Sequence, residues 1–348
     1  MHSAIFSNDY QAISNIIDAT QYSSVFLLTD SNTSVHCSSY FLDKLSLNKL
    51  IISISISNGE EYKNLETCNN VWQKLIDHNA DRKSLIINLG GGVVTDLGGF
   101  IAATYKRGID FIQIPTSLLA MVDAAIGGKT GVDFNGIKNC IGTITEAKAI
   151  LVDTNYLKTL PKNQLNSGMA EVIKHALISS KSYYDEVCRY LTEDAGDLNK
   201  IIKESIQIKE KVVKEDRFES GQRKILNFGH TLGHAIESYY LENDNLKTLL
   251  HGEAIGYGMV LECYLSQLIF DFPEKITQEL LALVKELYGS IQFSKDAINQ
   301  IIDYMKYDKK NVDGKVNFVL LEEIGKPKID CHVTNDEVLK AFDYFKKN

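Results

Sequence analysis

The chain has 348 residues, 44% hydrophobic and 24% charged, which is ordinary globular composition with no low-complexity tract and no internal repeat. With 37 basic against 45 acidic residues the formal net charge is −8, and the lack of a basic tail or Lys/Arg stripe argues against nucleic acid as a partner. The longest apolar runs, such as SLLAMVDAAIGG, stop well short of the roughly 20 residues a membrane span needs, so no membrane association is expected. The start, MHSAIFSNDYQAI, has neither a basic lead nor an apolar signal core, and six cysteines are scattered without a CxxC. A cytoplasmic protein with reduced thiols is therefore expected.

At roughly 100–200 residues per domain, the length suggests two domains. Short apolar, β-rich runs at 24–30, 49–56, 84–90, 111–116 and 148–153 predict strands, and the stretches 40–47 and 63–79 carry apolar residues at helical spacing. This alternation predicts a Rossmann-like α/β domain with a largely parallel sheet over residues 1–160. Pro161 marks the boundary. From Gln164 to about Tyr307 the pattern is helical, with one strand suggested at 315–321, so an all-α domain is expected over 161–348. An α/β domain followed by a helical one predicts an active site in the cleft between them.

Several stretches carry chemistry. LIINLGGGVVTDLGGF runs from an apolar strand through Gly90, Gly91 and Gly92 into a potential helix start, an arrangement able to cradle a phosphate although it lacks the GxGxxG spacing. Upstream, Glu60 and Lys63 in NGEEYKN follow the second strand, where an acidic residue can bind a ribose hydroxyl or simply open a helix as a solvated pair. The glycine-rich stretch 115–142 reads as a long connection carrying Asp123, Lys129, Lys138 and Asn139, with Arg107 shortly before it. Such a set of cations and hydrogen-bonding groups suits a small, multiply anionic substrate.

In NSGMAEVIKHALISS, Glu171, Lys174 and His175 share one face of an apolar helix. A carboxylate there needs a partner. Lys174 is one candidate, which would make the pair structural; a divalent metal shared with His230 and His234 of GHTLGH and with His251 is the other. His230 and His234 are four residues apart and lie on one helix face, so spacing does not say which histidines bind. One glutamate with two or three histidines suits Zn²⁺ or a similar ion.

Together the blocks GGGVVTDLGGFIAATYKRG, IQIPTSLLAMVDAAIGGKTGV, KNCIGT, LKTLP, SGMAEVIKHALI, LNFGHTLGHAIE, HGEAI and DKKNVDGKVNFVLLEEIG resemble the 3-dehydroquinate synthase family, from about Asn58 to Gly325. The resemblance implies NAD and Zn²⁺ (or Co²⁺) as cofactors, a cytoplasmic homodimer, and a sugar phosphate as substrate. It assigns the metal to Glu171, His230 and His251 and turns His234 toward substrate. It assigns NAD to Asn58, Gly59, Glu60 and Lys63, to Gly92, Val93, Val94, Thr95 and Asp96, to Thr116 and Ser117, to Lys129 and Lys138, and to Tyr156 and Thr159. Substrate would meet Arg107, Asp123, Lys129, Lys138, Asn139, Lys174, Lys209, Arg223, Asn227 and His234, with one further lysine from Lys309 or Lys310.

The implied reaction belongs to the shikimate pathway of aromatic amino acid biosynthesis and converts 3-deoxy-D-arabino-heptulosonate 7-phosphate to 3-dehydroquinate and phosphate. Transient oxidation of the C5 hydroxyl acidifies the C6 proton, phosphate leaves by β-elimination with its own oxygens assisting the proton's removal, the hydride returns, and ring opening with aldol closure completes the product. Ile137, Asp133 and Ser117 stand where the family usually has glycine, asparagine and threonine, and ENDNLKTLL before His251 is a few residues longer than is typical. The alternatives are another sugar-phosphate cyclase such as 2-deoxy-scyllo-inosose synthase, a metal-dependent polyol dehydrogenase that releases NADH, and a non-catalytic scaffold.

Overall fold

A computed structural model describes residues 3–47, 49–135, 137–193, 195–243, 245–305 and 316–348. The chain forms two compact units, Met1–Leu165 and Asn166–Asn348.

In the first unit six strands form one parallel sheet: β1 (Ile5–Phe6), β2 (Val25–Asp30), β3 (Ile51–Ile56), β4 (Leu85–Gly90), β5 (Asp110–Pro115) and, after a hairpin, β8 (Ala149–Val152). Their spatial order is β1-β8-β5-β4-β2-β3. β4 and β8 are buried along their whole length, which is why they read as near-continuous apolar runs, interrupted by the buried Asn88, and not as alternation. Helices α1 (Gln11–Thr20), α2 (Ser31–His36), α3 (Ser38–Lys44), α4 (Leu65–Asp77) and α5 (Gly92–Thr104) connect the strands. From β2 the chain steps outward to β3, then returns to β4 on the other side of β2. The strand order thus reverses between β2 and β4, and open α/β sheets take their ligands at the carboxyl ends of strands where such a reversal falls.

The stretch expected as a long connection is more ordered than that. A wide helical turn, Ala120–Ala124, carries Asp123, and an antiparallel hairpin follows, β6 (Lys129–Phe134) and β7 (Ile137–Ile144). Its glycines hide the strand pattern: Gly131 faces Gly142 in the middle of the pairing, between the branched pairs Thr130–Thr143 and Val132–Ile141.

The second unit contains α6 (Lys162–Ser179, which starts just ahead of the division), α7 (Lys181–Glu193), α8 (Leu198–Glu215), α9 (His230–Leu241), α10 (His251–Phe270), α11 (Glu274–Tyr288), α12 (Lys295–Met305) and α13 (Asn335–Lys347). The strand expected at 315–321 is β9 (Asn317–Glu323), and a second strand, β10 (Lys326–His332), pairs with it antiparallel. Every residue of α6 from Ser167 to Ile178 is buried, and α10 is buried nearly all round, so these two helices form the interior. Among the described residues no helix is long and apolar enough to cross a membrane.

Candidate metal centre and nucleotide loop

Glu171 lies in the middle of α6 with no solvent exposure. One carboxylate oxygen, Oε2, takes the ammonium of Lys174, one turn further on. The other, Oε1, accepts no hydrogen bond among the described residues and faces two imidazoles, with His230 Nε2 and His251 Nε2 each 3.5 Å away. The two partners suggested by the sequence, lysine and histidines, thus take one oxygen each. Burial alone would raise the Glu171 pKa, but the Lys174 ammonium and then His230 hold the carboxyl well below the usual carboxylate range.

Both histidines are fixed from behind. His230 opens α9, and its Nδ1–H donates to the carbonyl of Phe228 at 3.0 Å. His251 opens α10, and its Nδ1 is 3.3 Å from Glu237 Oε2. With Nδ1 carrying the proton, Nε2 presents a lone pair. Two such nitrogens and a carboxylate oxygen repel one another unless a proton or a cation lies between them. Burial lowers the His251 pKa, yet the negative charges of Glu237 and Glu171 beside it raise it to about 10. A field that favours a proton so strongly also favours a divalent cation, and this donor set fits Zn²⁺ with a position left open. The longer stretch ahead of His251 has not drawn it out of reach.

His234 lies beside the pair, its ring centroid 5.1 Å from that of His230 and 5.8 Å from that of His251. Ring nitrogens of the three histidines also lie within 4.8 Å of one another, so His234 adjoins the centre.

Other expected substrate residues in this unit are already engaged. Lys209 is buried on α8. Arg223 is buried and its Nη1 donates to the Arg217 carbonyl at 2.7 Å, while Asn227 Nδ2 donates to Glu219 Oε1 at 2.7 Å. The loop between α8 and these residues turns around Asp216, whose carboxylate accepts backbone N–H groups of Ser220, Gly221 and Arg223 at 3.1, 2.7 and 3.1 Å. These donors, Gly221 first, lower its pKa. Lys309 and Lys310 lie outside the described residues.

In the first unit, α5 starts directly after β4 with Gly91 as its cap, giving the expected strand, glycine turn and helix N-terminus. Val94 and Thr95 point into the core, and the Thr95 hydroxyl donates to the carbonyls of Gly91 and Gly92 at 3.2 and 3.0 Å. Gly92, Val93 and Asp96 remain half-exposed. The turn is thus bordered by the backbone N–H groups that open α5 and by the half-exposed Asp96. Thr116, buried after β5, donates its N–H to the Gly90 carbonyl at 2.9 Å, and the Ser117 hydroxyl accepts the N–H of Ala120 at 3.3 Å. Asn58 accepts a hydrogen bond from Ser31 at 2.6 Å across the ends of β2 and β3, and Gly59 follows with φ 122°.

Lys63 is buried, with its ammonium 2.8 Å from Asp96 and 3.6 Å from Glu60. Burial works against its charge, but Asp96 and Glu60 outweigh it and the pKa rises. Glu60 and Lys63 are thus a pair anchored to α5 and not a solvated one. The Lys63 carbonyl accepts the N–H of Asp133 at 2.8 Å, and the Asp133 carboxylate accepts that of Asn139 at 2.7 Å. Asp133 so ties the two strands of the hairpin beside Lys138, where Ile137 begins β7. Arg107, Lys129 and Asn139 are exposed, and Lys138 and Asp123 half-exposed. Tyr156 is buried, its hydroxyl 2.8 Å from that of Tyr10, and Thr159 donates to its carbonyl at 3.2 Å.

A parallel sheet with a glycine-opened helix in one unit, and a glutamate with histidines poised for a metal in the other, define a class of proteins equipped for a nucleotide and a divalent ion. Residues 53–167 match the model of the 3-dehydroquinate synthase N-terminal domain, and residues 168–311 that of its C-terminal domain. The chain is 38% identical over 338 residues to a 3-dehydroquinate synthase of Parabacteroides distasonis, covering 97% of this chain and 95% of the relative. It belongs to the 3-dehydroquinate synthase family. Its fold is also similar to 2-epi-5-epi-valiolone synthase from Streptomyces hygroscopicus, solved with NAD⁺ and Zn²⁺ (TM-score 0.87, 24% identity, covering 100% of this chain and 97% of that one). A further similar structure is 2-deoxy-scyllo-inosose synthase complexed with carbaglucose-6-phosphate, NAD⁺ and Co²⁺ (TM-score 0.81, 24% identity, covering 99% and 96%).

Sequence reasoning missed Glu237, although it stands seven residues, two turns, after His230 on the same helix face. It also missed Asp216 and Glu262, whose partners are backbone N–H groups and leave no sequence signal.

Proposed function

We propose that the chain is an NAD- and metal-dependent carbon–oxygen lyase acting on a phosphate, converting 3-deoxy-D-arabino-heptulosonate 7-phosphate to 3-dehydroquinate and phosphate. Family membership supports the reaction. The observation that carries the metal part is Glu171 Oε1, buried and equidistant from His230 Nε2 and His251 Nε2.

When bound, NAD⁺ supplies a reversible hydride acceptor and Zn²⁺ (or Co²⁺) a Lewis acid that eases loss of the hydroxyl proton. In this reading Glu171, His230 and His251 hold the ion, and Lys174 neutralises the second oxygen of Glu171. The first turn of α5 holds the dinucleotide's phosphates through its N–H groups, with Lys63 keeping Asp96 in place. Arg107, Lys129, Lys138, Asn139, Lys209, Arg223 and Asn227 pair with the substrate's carboxylate and phosphate, and His234 and Asp123 orient its hydroxyls. Pre-placed cations of this kind stabilise the charge that develops as phosphate leaves. The cytoplasmic setting and the homodimer are part of the same proposal.

Phosphate release from the heptulosonate phosphate, compared with glucose 6-phosphate and sedoheptulose 7-phosphate, tests the reading. Turnover of the first substrate is expected, lost on chelation, restored by Zn²⁺, dependent on NAD⁺ and without accumulation of NADH. Turnover of another sugar phosphate in its place would assign a different cyclase activity, and NADH formed in step with product would indicate a dehydrogenase.

A further inference from the structure

We propose that Glu262, in the middle of α10, is a positioning residue for His230. It has no solvent exposure, and its carboxylate is given to the backbone of another helix: Oε2 accepts the N–H of Gly229 at 2.6 Å, and Oε1 those of Thr231 and Leu232 at 3.1 Å each. The first N–H groups of any helix lack internal partners, and a side chain at the cap position usually takes one of them. Here the cap residue is Gly229, in the left-handed region at φ 78°, with no side chain to offer. Glu262 fills that role from α10, and its negative charge faces the positive end of the α9 dipole.

The hydrogen-bonded residues bracket His230 on both sides. The ring of His230 is in turn fixed by the Phe228 carbonyl, in the same short length of backbone. Locking that backbone therefore locks the direction of Nε2. The helix that supplies Glu262 also begins with His251, eleven residues or about three turns earlier. One carboxylate thus ties the helix that carries one imidazole to the start of the helix that carries the other. The spacing of the two Nε2 atoms about Glu171 is set by this tie.

The inference rests on the metal reading of Glu171, His230 and His251, and the measurement separates the two. Zinc affinity of the purified full chain is read by competition with a chromogenic chelator, alongside thermal unfolding. Wild type is expected to bind zinc, and Glu262→Gln, which keeps the volume but turns an N–H₂ group toward one of the three donors, to bind it at least about tenfold more weakly. Thr334→Ala, which removes the cap of α13, controls for loss of stability alone and is expected to leave zinc affinity within about twofold. Affinity of folded Glu262→Gln within twofold of wild type overturns the positioning role and leaves the metal reading intact. Failure of wild type to bind zinc overturns the metal reading and the inference with it. Should Glu262→Gln not fold, Glu262→Asp, which keeps the charge but withdraws it by one methylene, decides by the same criterion.

Discussion

The Nδ1–H of His251 is donated to Glu237, whose Oε2 lies 3.3 Å away, so the imidazole is held with Nε2 toward Glu171. A carboxylate behind a histidine fixes its tautomer and raises its basicity as a ligand. Glu237→Leu is expected to lower zinc affinity by roughly 10–100-fold, while Glu237→Gln, which keeps an acceptor, loses less. Isothermal titration of the two variants decides; equal affinity in wild type and Glu237→Leu would remove Glu237 from the centre.

Glu171 and Lys174 form a fully buried pair, and removing one charge strands the other. Glu171→Gln is expected to cost about 3–5 kcal/mol of unfolding free energy in the metal-free protein and to abolish zinc binding. Urea denaturation in the presence of chelator measures the first effect. A cost below about 1 kcal/mol would mean that Lys174 finds another partner without loss.

Lys63 joins Glu60 to Asp96 while having almost no contact with solvent. Its carboxylate partners are partly exposed and can rehydrate, so Lys63→Met is expected to cost about 2 kcal/mol, toward the low end for a charged hydrogen bond. NAD⁺ affinity should fall as well, since Asp96 follows directly on the first turn of α5. Unfolding and fluorescence titration with NAD⁺ report the two effects separately, and unchanged affinity would make Lys63 purely structural.

Gly258 lets α10 approach α9 closely: a Cβ there would lie 2.6 Å from the backbone nitrogen of Gly233. Backbone yields little, so Gly258→Ala is expected to destabilise by about 1–3 kcal/mol, read as a lower thermal midpoint. An unchanged midpoint would show that the two helices separate at no cost.

The sheet was legible because β2, β4, β5 and β8 are buried apolar runs, and their expected spans differ from the observed ones by a residue or so. The hairpin of β6 and β7 was not, since glycine and polar residues interrupt KTGVDF and IKNCIGTI and leave neither sheet-like alternation nor an unbroken apolar run. β1, two residues long, is too short for any period to register. At the candidate centre, the i, i+3 spacing of Glu171 and Lys174 and the i, i+4 spacing of His230 and His234 showed which groups share a face. The approach of His251 to Glu171 joins residues 80 apart in sequence, and that depends on how α6 and α10 pack. Glu262 and Asp216 work through backbone N–H groups, which every residue but proline supplies, so no residue type betrays them.

Diffraction at the zinc absorption edge from crystals of the zinc-loaded chain decides whether Glu171 shares an ion with His230 and His251. One anomalous peak is expected, bonded to Glu171 Oε1, His230 Nε2 and His251 Nε2 at about 2.0–2.2 Å. A peak bound by His230, His234 and His251, with Glu171 still turned to Lys174 alone, would contradict that arrangement.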